Sequence, residues 1–216
     1  MEPRERETGK EPETGGGGGR LTKQNIRRRY ASIRNGKPPS VLADLSARVV
    51  ANLCGGALFE SSHTIALYAA HAGEVDLSAA VPLIRAAGKR AFFPRVCSEG
   101  LRFFEVRSTD ELSPGSFSIP EPAADAGREA LPSGLDLMVI PGLCFDRFGF
   151  RVGSGKGFYD RATEGVDPAR VCGAAYSFQL VSFEIPAESH DRRAGFIVTE
   201  EGVFGVQTKR EGEKNV

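Results

Sequence analysis

The sequence has no tryptophan and only three histidines and four cysteines among 216 residues. Cys54, Cys97, Cys144 and Cys172 lie far apart, form no C-x-x-C pair and have no histidine at ligand spacing, which excludes the usual zinc and redox-dithiol patterns. They read as reduced thiols in or near a core. Charge of one sign is also missing, since 28 Lys+Arg balance 28 Asp+Glu. Without a global field, a polyanion or membrane surface could be held only by a local patch. No apolar run approaches the ~18 residues of a membrane-spanning helix. The N-terminal stretch lacks an apolar segment of the secretory kind and is too acidic for a transit peptide. The expectation is a soluble, cytoplasmic, monomeric protein with no nucleic-acid or membrane partner.

What is present suits one domain with a sizeable core. Residues 1–20 are charged and then run through Gly15 to Gly19, a composition that cannot offset its ordering entropy, so a disordered tail is expected there. The folded part is expected over 21–205, followed by a polar tail over 206–216. Thr22 is a natural N-cap for a basic helix beginning at Lys23 and closed by the Asn35-to-Pro39 breaker. Ser40 is a candidate cap for a second helix, whose Val41, Leu42, Leu45, Val49 and Leu53 recur at core-facing steps before Gly55 stops it.

Apolar runs at 64–70 and 90–94 flank a helical stretch ending at Ala87, which spells a βαβ unit with a right-handed crossover. Residues 101–106, 136–140, 171–175 and 196–199 are further strand candidates, and the Pro- and Ala-rich stretch from Pro114 to Pro132 reads as surface loop. The class is α/β: a single Rossmann-like domain with a mainly parallel sheet flanked by helices.

Chemistry concentrates directly after the strand at 136–140, in Pro141 to Arg161, PGLCFDRFGFRVGSGKGFYDR. Ligands of open α/β sheets bind beyond the carboxyl ends of strands. Alternating glycines turn backbone N–H groups toward an anion, and Arg151 and Lys156 add positive charge. Phosphate is the natural guest. The segment is nevertheless neither common nucleotide motif: the P-loop pattern fails at Phe150 and Gly157, and the dinucleotide pattern fails at Phe158. A glycine-rich turn with two solvated cations is the competing structural explanation.

This segment resembles the signature of the 5-formyltetrahydrofolate cyclo-ligase family, PG-x-x-F-D-x-x-G-x-R-x-G-x-G-x-G-[YF]-Y-D. The likeness extends to Lys23-x-x-x-Arg27, to Glu74-Val75-Asp76, to Gly88-Lys89 leading into Phe93-Pro94-Arg95, and to Ile185-Pro186 ahead of Asp191, spanning roughly residues 21 to 200. The resemblance implies a ligase of one-carbon metabolism that converts 5-formyltetrahydrofolate, with ATP and Mg²⁺, into 5,10-methenyltetrahydrofolate, ADP and phosphate. Polyglutamylated folate would also be accepted. It further implies a fold shared with phosphosugar isomerases and CoA-transferases.

By the same resemblance, Lys23 and Arg27 hold ATP phosphates, as two cations four apart on one helical face can. The ATP loop runs through Arg151, Val152, Gly153, Ser154, Gly155, Lys156, Gly157, Phe158 and Tyr159, with Arg151 and Lys156 neutralising the phosphoryl group in flight. Ala69 and Glu74, with Ser154 to Phe158, face the folate. Asp160 and Asp191 are the implied Mg²⁺ ligands, hard oxygen donors of the kind that ion takes. Phe158 is expected to pack rather than stack. Of His63, His71 and His190, none is required, and His71 borders the folate pocket.

Three positions depart from the pattern. Gly195 replaces a frequent acid, which puts a nucleotide or metal contact in question, while Phe150 and Ser154 could alter the fit around the ring. Two other functions stay open: a sugar-phosphate isomerase, which would need neither Lys23 and Arg27 nor a divalent ion, and a non-catalytic nucleotide- or RNA-binding module resting on Arg27 to Arg29.

Overall fold

The computed structural model describes residues 21–208, so the expected tail over 1–20 and most of the expected C-terminal tail lie outside the described residues. The chain opens with helices α1 (Lys23–Asn35), α2 (Pro39–Cys54) and α3 (Ala57–Ser61). Then come β1 (Thr64–Ala66), α4 (Ala80–Ala86), β2 (Arg90–Cys97) and β3 (Gly100–Val106). The short strands β4 (Ser113–Pro114), β5 (Pro120–Glu121) and β6 (Glu129–Ala130) precede β7 (Leu137–Pro141). After β7 the chain forms β8 (Cys144–Asp146), β9 (Arg151–Val152) and α5 (Phe158–Ala162). It ends with β10 (Val171–Ala174), β11 (Leu180–Val181), β12 (Phe196–Thr199) and β13 (Gly202–Gly205).

Eight strands form one sheet in the order β13-β12-β10-β7-β1-β2-β3-β6. The five central strands are parallel, and antiparallel strands close both edges. This is the α/β layering expected from the alternating elements. Period-two alternation sends neighbouring side chains to opposite faces. Ile65, Phe93, Leu137 and Val139 join the core under α2 and α4, whereas Ala66, Phe92, Met138 and Ile140 join the second core, which includes Ala162 of α5. A sheet covered on both faces needs the near-continuous apolar strands that the sequence shows.

Several local expectations change. Thr22 caps α1 as expected, its hydroxyl accepting from the Asn25 amide. Ser40 does not cap α2: the helix starts at Pro39, whose fixed φ and missing N–H suit the first turn. Val41, expected in the core, is exposed. The strand expected over 64–70 pairs only through Ala66. Beyond it the Leu67 amide donates to Phe92 O, and the chain then leaves the sheet. The stretch read as loop pairs β6 with β3 and folds β4 against β5.

One topological fact positions the site. From β1 the chain runs outward through β2 and β3, then returns to place β7 on the other side of β1. The segments leaving the carboxyl ends of β1 and β7 therefore diverge, and the crevice between such segments is where open α/β sheets bind ligands.

Candidate active site

The segment read over 141–161 begins where β7 ends, as expected, but its alternating glycines do not come first. A hairpin of β8 and β9 intervenes and pairs with β11 in a separate three-stranded sheet. Asp146, buried in this hairpin, accepts from the Phe148 and Phe150 amides at 2.9 and 3.0 Å and from the Ile185 amide at 2.9 Å. The carboxylate therefore ties the turn to the 185 segment. Gly149 sits in this turn at φ +84°, where a Cβ would stand 2.1 Å from Ala194 O. The hairpin is a rigid base that aims the residues after Val152.

Helix α1 docks on that base. Ile26 is its one buried apolar residue, packed with Cys144, Val152, Val181 and Ile185, and Tyr30 and Phe150 border the cluster. Docking turns a single face of α1 inward, so that Lys23, Arg27, Ala31, Arg34 and Asn35 all line one cavity of about 650 Å³. Their spacing follows the helical repeat. Arg27 Nε donates to Gly153 O at 2.7 Å. Gly155, at φ +94°, lies under the Arg27 guanidinium, and a Cβ there would come within 3.2 Å of it.

The same cavity is lined by every residue the sequence reading assigned to the site: Lys23, Arg27, Ala69, Glu74, the run from Arg151 to Asp160, and Asp191. Its size falls within the ~300–1,000 Å³ range of small-molecule sites. His71 and His190 also reach it. Of the departures from the family pattern, Ser154 lines the cavity, whereas Phe150 packs in the cluster beneath α1. Gly195 lies just ahead of β12, at the amino end of that parallel strand, with Pro168 O at 2.3 Å from where a Cβ would be. A side chain there would meet the Pro168 carbonyl, and Gly195 is not among the residues that line the cavity.

The cations are not equivalent. Arg151 is buried and committed, with Nη2 donating to Asp160 Oδ1 at 2.8 Å and Nη1 to Arg192 O at 2.9 Å. Lys23 pairs with Asp191 and reaches Glu188 at 3.3 Å. Among the described residues, Arg27 and Lys156 have no carboxylate partner within ion-pair distance. Lys156 is exposed, and its Nζ lies 2.8 Å from the centroid of the Phe117 ring. These two are the cations left for an incoming anion. The helix after the loop, α5, spans only five residues and contributes little dipole of its own.

The acids are held just as distinctly. Asp160 Oδ1 accepts from Arg151 and from the Arg192 amide at 3.2 Å. Burial pushes the Asp191 carboxyl up, but bonds from the Glu188 amide and Lys23 outweigh it and hold it below the usual range. Asp191, Glu188 and His190 bring ligand atoms within 4.8 Å of one another. Glu74 is different: burial raises it, against the opposing pull of Arg34 and of the His71 amide, which donates to it at 3.1 Å. The Tyr159 hydroxyl is raised by burial and then by Glu74, and is pulled back by Arg151, so it stands within the fields of both.

Sequence reasoning missed Arg34, Tyr68 and Phe117, which also line the cavity. Arg34 carried a signal, since it lies seven residues beyond Arg27 on the same face. Tyr68 was hidden inside an expected strand. Phe117 was hidden in an expected surface loop, where its φ of +59° brings it beside Phe158, ring centroids 6.3 Å apart.

An α/β fold with a crevice at its strand-order switch, lined by an anion-receptive glycine loop, defines a small-molecule enzyme site. The 5-formyltetrahydrofolate cyclo-ligase family model matches residues 20–200, and the chain belongs to that family. It is 32% identical over 149 residues to the 5-formyltetrahydrofolate cyclo-ligase of Escherichia coli, covering 66% of this chain and 81% of that one. It is 29% identical over 154 residues to the mouse enzyme of the same name, covering 66% and 76%. The solution structure of Aquifex aeolicus 5,10-methenyltetrahydrofolate synthetase matches with a TM-score of 0.76 and 31% identity, covering 90% of this chain and 98% of that one. A 5,10-methenyltetrahydrofolate synthetase from Mycoplasma pneumoniae shares the fold, with a TM-score of 0.67 at 23% identity over 84% and 100%. Among the described residues no helix is long and apolar enough to cross a membrane.

Proposed function

We propose that this protein closes 5-formyltetrahydrofolate to 5,10-methenyltetrahydrofolate at the expense of ATP. The formyl group on N5 is an amide, so its carbon is a weak electrophile and its oxygen a poor leaving group. Transfer of the γ-phosphoryl group to that oxygen releases ADP and makes the oxygen a competent leaving group. N10 then attacks the formyl carbon and loses its proton, the C–O bond breaks, phosphate departs, and N5 and N10 are joined through the former formyl carbon. Phosphoryl transfer asks a protein chiefly for positioning and for neutralisation of charge.

The observation that carries this reading is the gathering of all the implied contacts in one cavity, where, among the described residues, Arg27 and Lys156 have no carboxylate partner beside the glycine loop. Arg27 and Lys156 receive the terminal phosphates, and Lys23 adds charge from the same helix. Arg151 acts by holding Asp160 in place. Glu74 takes hydrogen bonds from ring N–H groups of the folate, and Tyr159 lies between the two substrates.

Asp160 and Asp191 would hold Mg²⁺, which supplies charge neutralisation on the phosphates when bound. The donor set fits, because Mg²⁺ takes one or two carboxylates and fills its remaining positions with phosphate oxygens and water. The hydrogen bonds described engage one oxygen of each: Oδ1 of Asp160 and Oδ2 of Asp191. We also place the fold with the phosphosugar isomerases and CoA-transferases, and the protein in the cytoplasm.

The test is incubation with 5-formyltetrahydrofolate and MgATP while following the absorbance of the methenyl product. Product and ADP are expected in equal amounts, with no product when ATP or the divalent ion is withheld. Product formed equally well without ATP would refute the reading. Isomerisation of a sugar phosphate without a divalent ion would favour the isomerase alternative.

A further inference from the structure

Among the described residues, three side-chain atoms are buried without a hydrogen-bond partner: Arg34 Nε, Arg34 Nη1 and Tyr68 Oη. All three belong to residues of the cavity wall, and those residues are only 6% and 3% exposed. Elsewhere buried polar groups find partners. Asp146 takes three backbone amides, and Gln179 donates to Gly142 O and Leu143 O. A buried donor left unmet weakens a fold, so unmet groups that gather in one ligand cavity call for a ligand that meets them.

Their neighbour is Glu74. Arg34 Nη1 stands 3.9 Å from Glu74 Oε1, which is too long for a hydrogen bond but close enough for each to feel the other's charge. The Tyr68 hydroxyl is raised by burial first and then by Glu74, Tyr159 and Tyr176, and is pulled back by Arg34. The wall thus holds unmet N–H and O–H donors in the neighbourhood of a carboxylate acceptor.

A ligand that satisfies this wall presents an acceptor next to a donor on one rigid edge. A second carboxylate is a poor candidate, because it would sit against Glu74 and meet like charge. A neutral ring carbonyl followed by ring N–H and exocyclic amine matches, and the 2-amino-4-oxo edge of a reduced pteridine has that order.

We propose that Arg34 and Tyr68 donate to the 4-oxo oxygen of the pteridine while Glu74 accepts from the adjoining N–H groups, making Arg34 and Tyr68 specificity residues of this pocket. The inference rests on the folate reading above. Arg34 reaches this place only because α1 docks through Ile26, so the helix that brings Lys23 and Arg27 to the phosphate region also completes the ring pocket.

The test is a titration of the full protein, without nucleotide, with 5-formyltetrahydrofolate and with a 2,4-diamino analogue of tetrahydrofolate, in which the 4-oxo acceptor becomes a donor. The unmodified protein should prefer the 4-oxo ligand by about tenfold or more, the value of one or two hydrogen bonds. Tyr68→Phe should reduce that preference about fivefold. The thermal midpoint of the free variant should not fall, because the hydroxyl removed has no partner. Arg34→Met should reduce the preference further. If it fails to fold, Tyr68→Phe alone decides.

Unchanged discrimination in folded Tyr68→Phe would overturn the proposal while leaving the cyclo-ligase reading intact, and would leave these donors to bound water. Weakened ATP binding with unaltered folate binding would also overturn it, by assigning the edge to adenine. If the unmodified protein bound neither folate, the cyclo-ligase reading itself would fail, and this proposal with it.

Discussion

Arg27 Nε donates to Gly153 O at 2.7 Å, joining positions 126 residues apart. This bond fastens the first helix to the loop expected to take the nucleotide, so the two halves of the phosphate region are set by one contact. Beneath it lies Ile26, buried against the β8–β9 hairpin. Ile26→Ala should destabilise the protein by about 2–4 kcal/mol, the usual cost of such a core truncation. It should also raise the KM for ATP and for folate together, because Lys23, Arg27 and Arg34 ride on the same helix. Chemical denaturation and steady-state kinetics check the two effects. A stability loss with both KM values unchanged would separate α1 from the site.

Lys156 has the opposite profile. It is exposed and, among the described residues, has no carboxylate partner, so its removal should leave stability within about 0.5 kcal/mol. Turnover should fall about 100- to 1,000-fold in Lys156→Ala, the usual loss when one group stabilising transition-state charge is removed. Circular dichroism and rate measurements on the same preparation read both numbers.

Two glycines of the signature segment should respond differently to a single methyl group. At Gly149 the backbone is left-handed and a Cβ would meet Ala194 O at 2.1 Å, so Gly149→Ala should cost about 3 kcal/mol or more. At Gly153 nothing lies within 4 Å of the added carbon. Gly153→Ala should fold normally, and any change should appear as altered nucleotide affinity. Thermal unfolding of the two variants gives the comparison.

Glu74 supplies a pH signature. Burial raises its carboxyl above the usual glutamate range despite Arg34 and the His71 amide. Because the ionised form accepts ring N–H groups, folate affinity should fall on acidification at a pH above that at which a free glutamate titrates. Glu74→Gln should weaken binding about 10- to 100-fold at neutral pH and flatten the acidic limb. Affinity measured from pH 4 to 8 in both proteins checks this, and a limb that persists in Glu74→Gln would belong to another group.

Much of this was legible in the sequence, for identifiable reasons. Long apolar runs with sharp ends, at 90–94, 136–140 and 196–199, became strands because burial on both faces leaves little else for them. The glycine segment stood out because its residue types are costly outside a special turn. Tyr68 was illegible because local pattern cannot show where a strand leaves its sheet: residues 67–70 are as apolar as 64–66, yet only the latter pair. Arg34 was overlooked because two cations already accounted for the helix, although the period carried a third to the same face. Phe117 depends on a left-handed backbone at a bulky residue, a conformation that no propensity favours. The partnering of Arg151 with Asp160, rather than with a ligand, is a tertiary fact, since only folding brings Arg192 O and Asp160 to the same guanidinium.

The most direct measurement is a crystal structure of the protein with 5-formyltetrahydrofolate, Mg²⁺ and a non-hydrolysable ATP analogue. The terminal phosphate should lie against Lys156 and Arg27 over Gly153 to Gly157, with its oxygen directed at the formyl group and the pteridine edge on Glu74. A triphosphate bound away from this loop, or a folate that occupies the loop in its place, would contradict it.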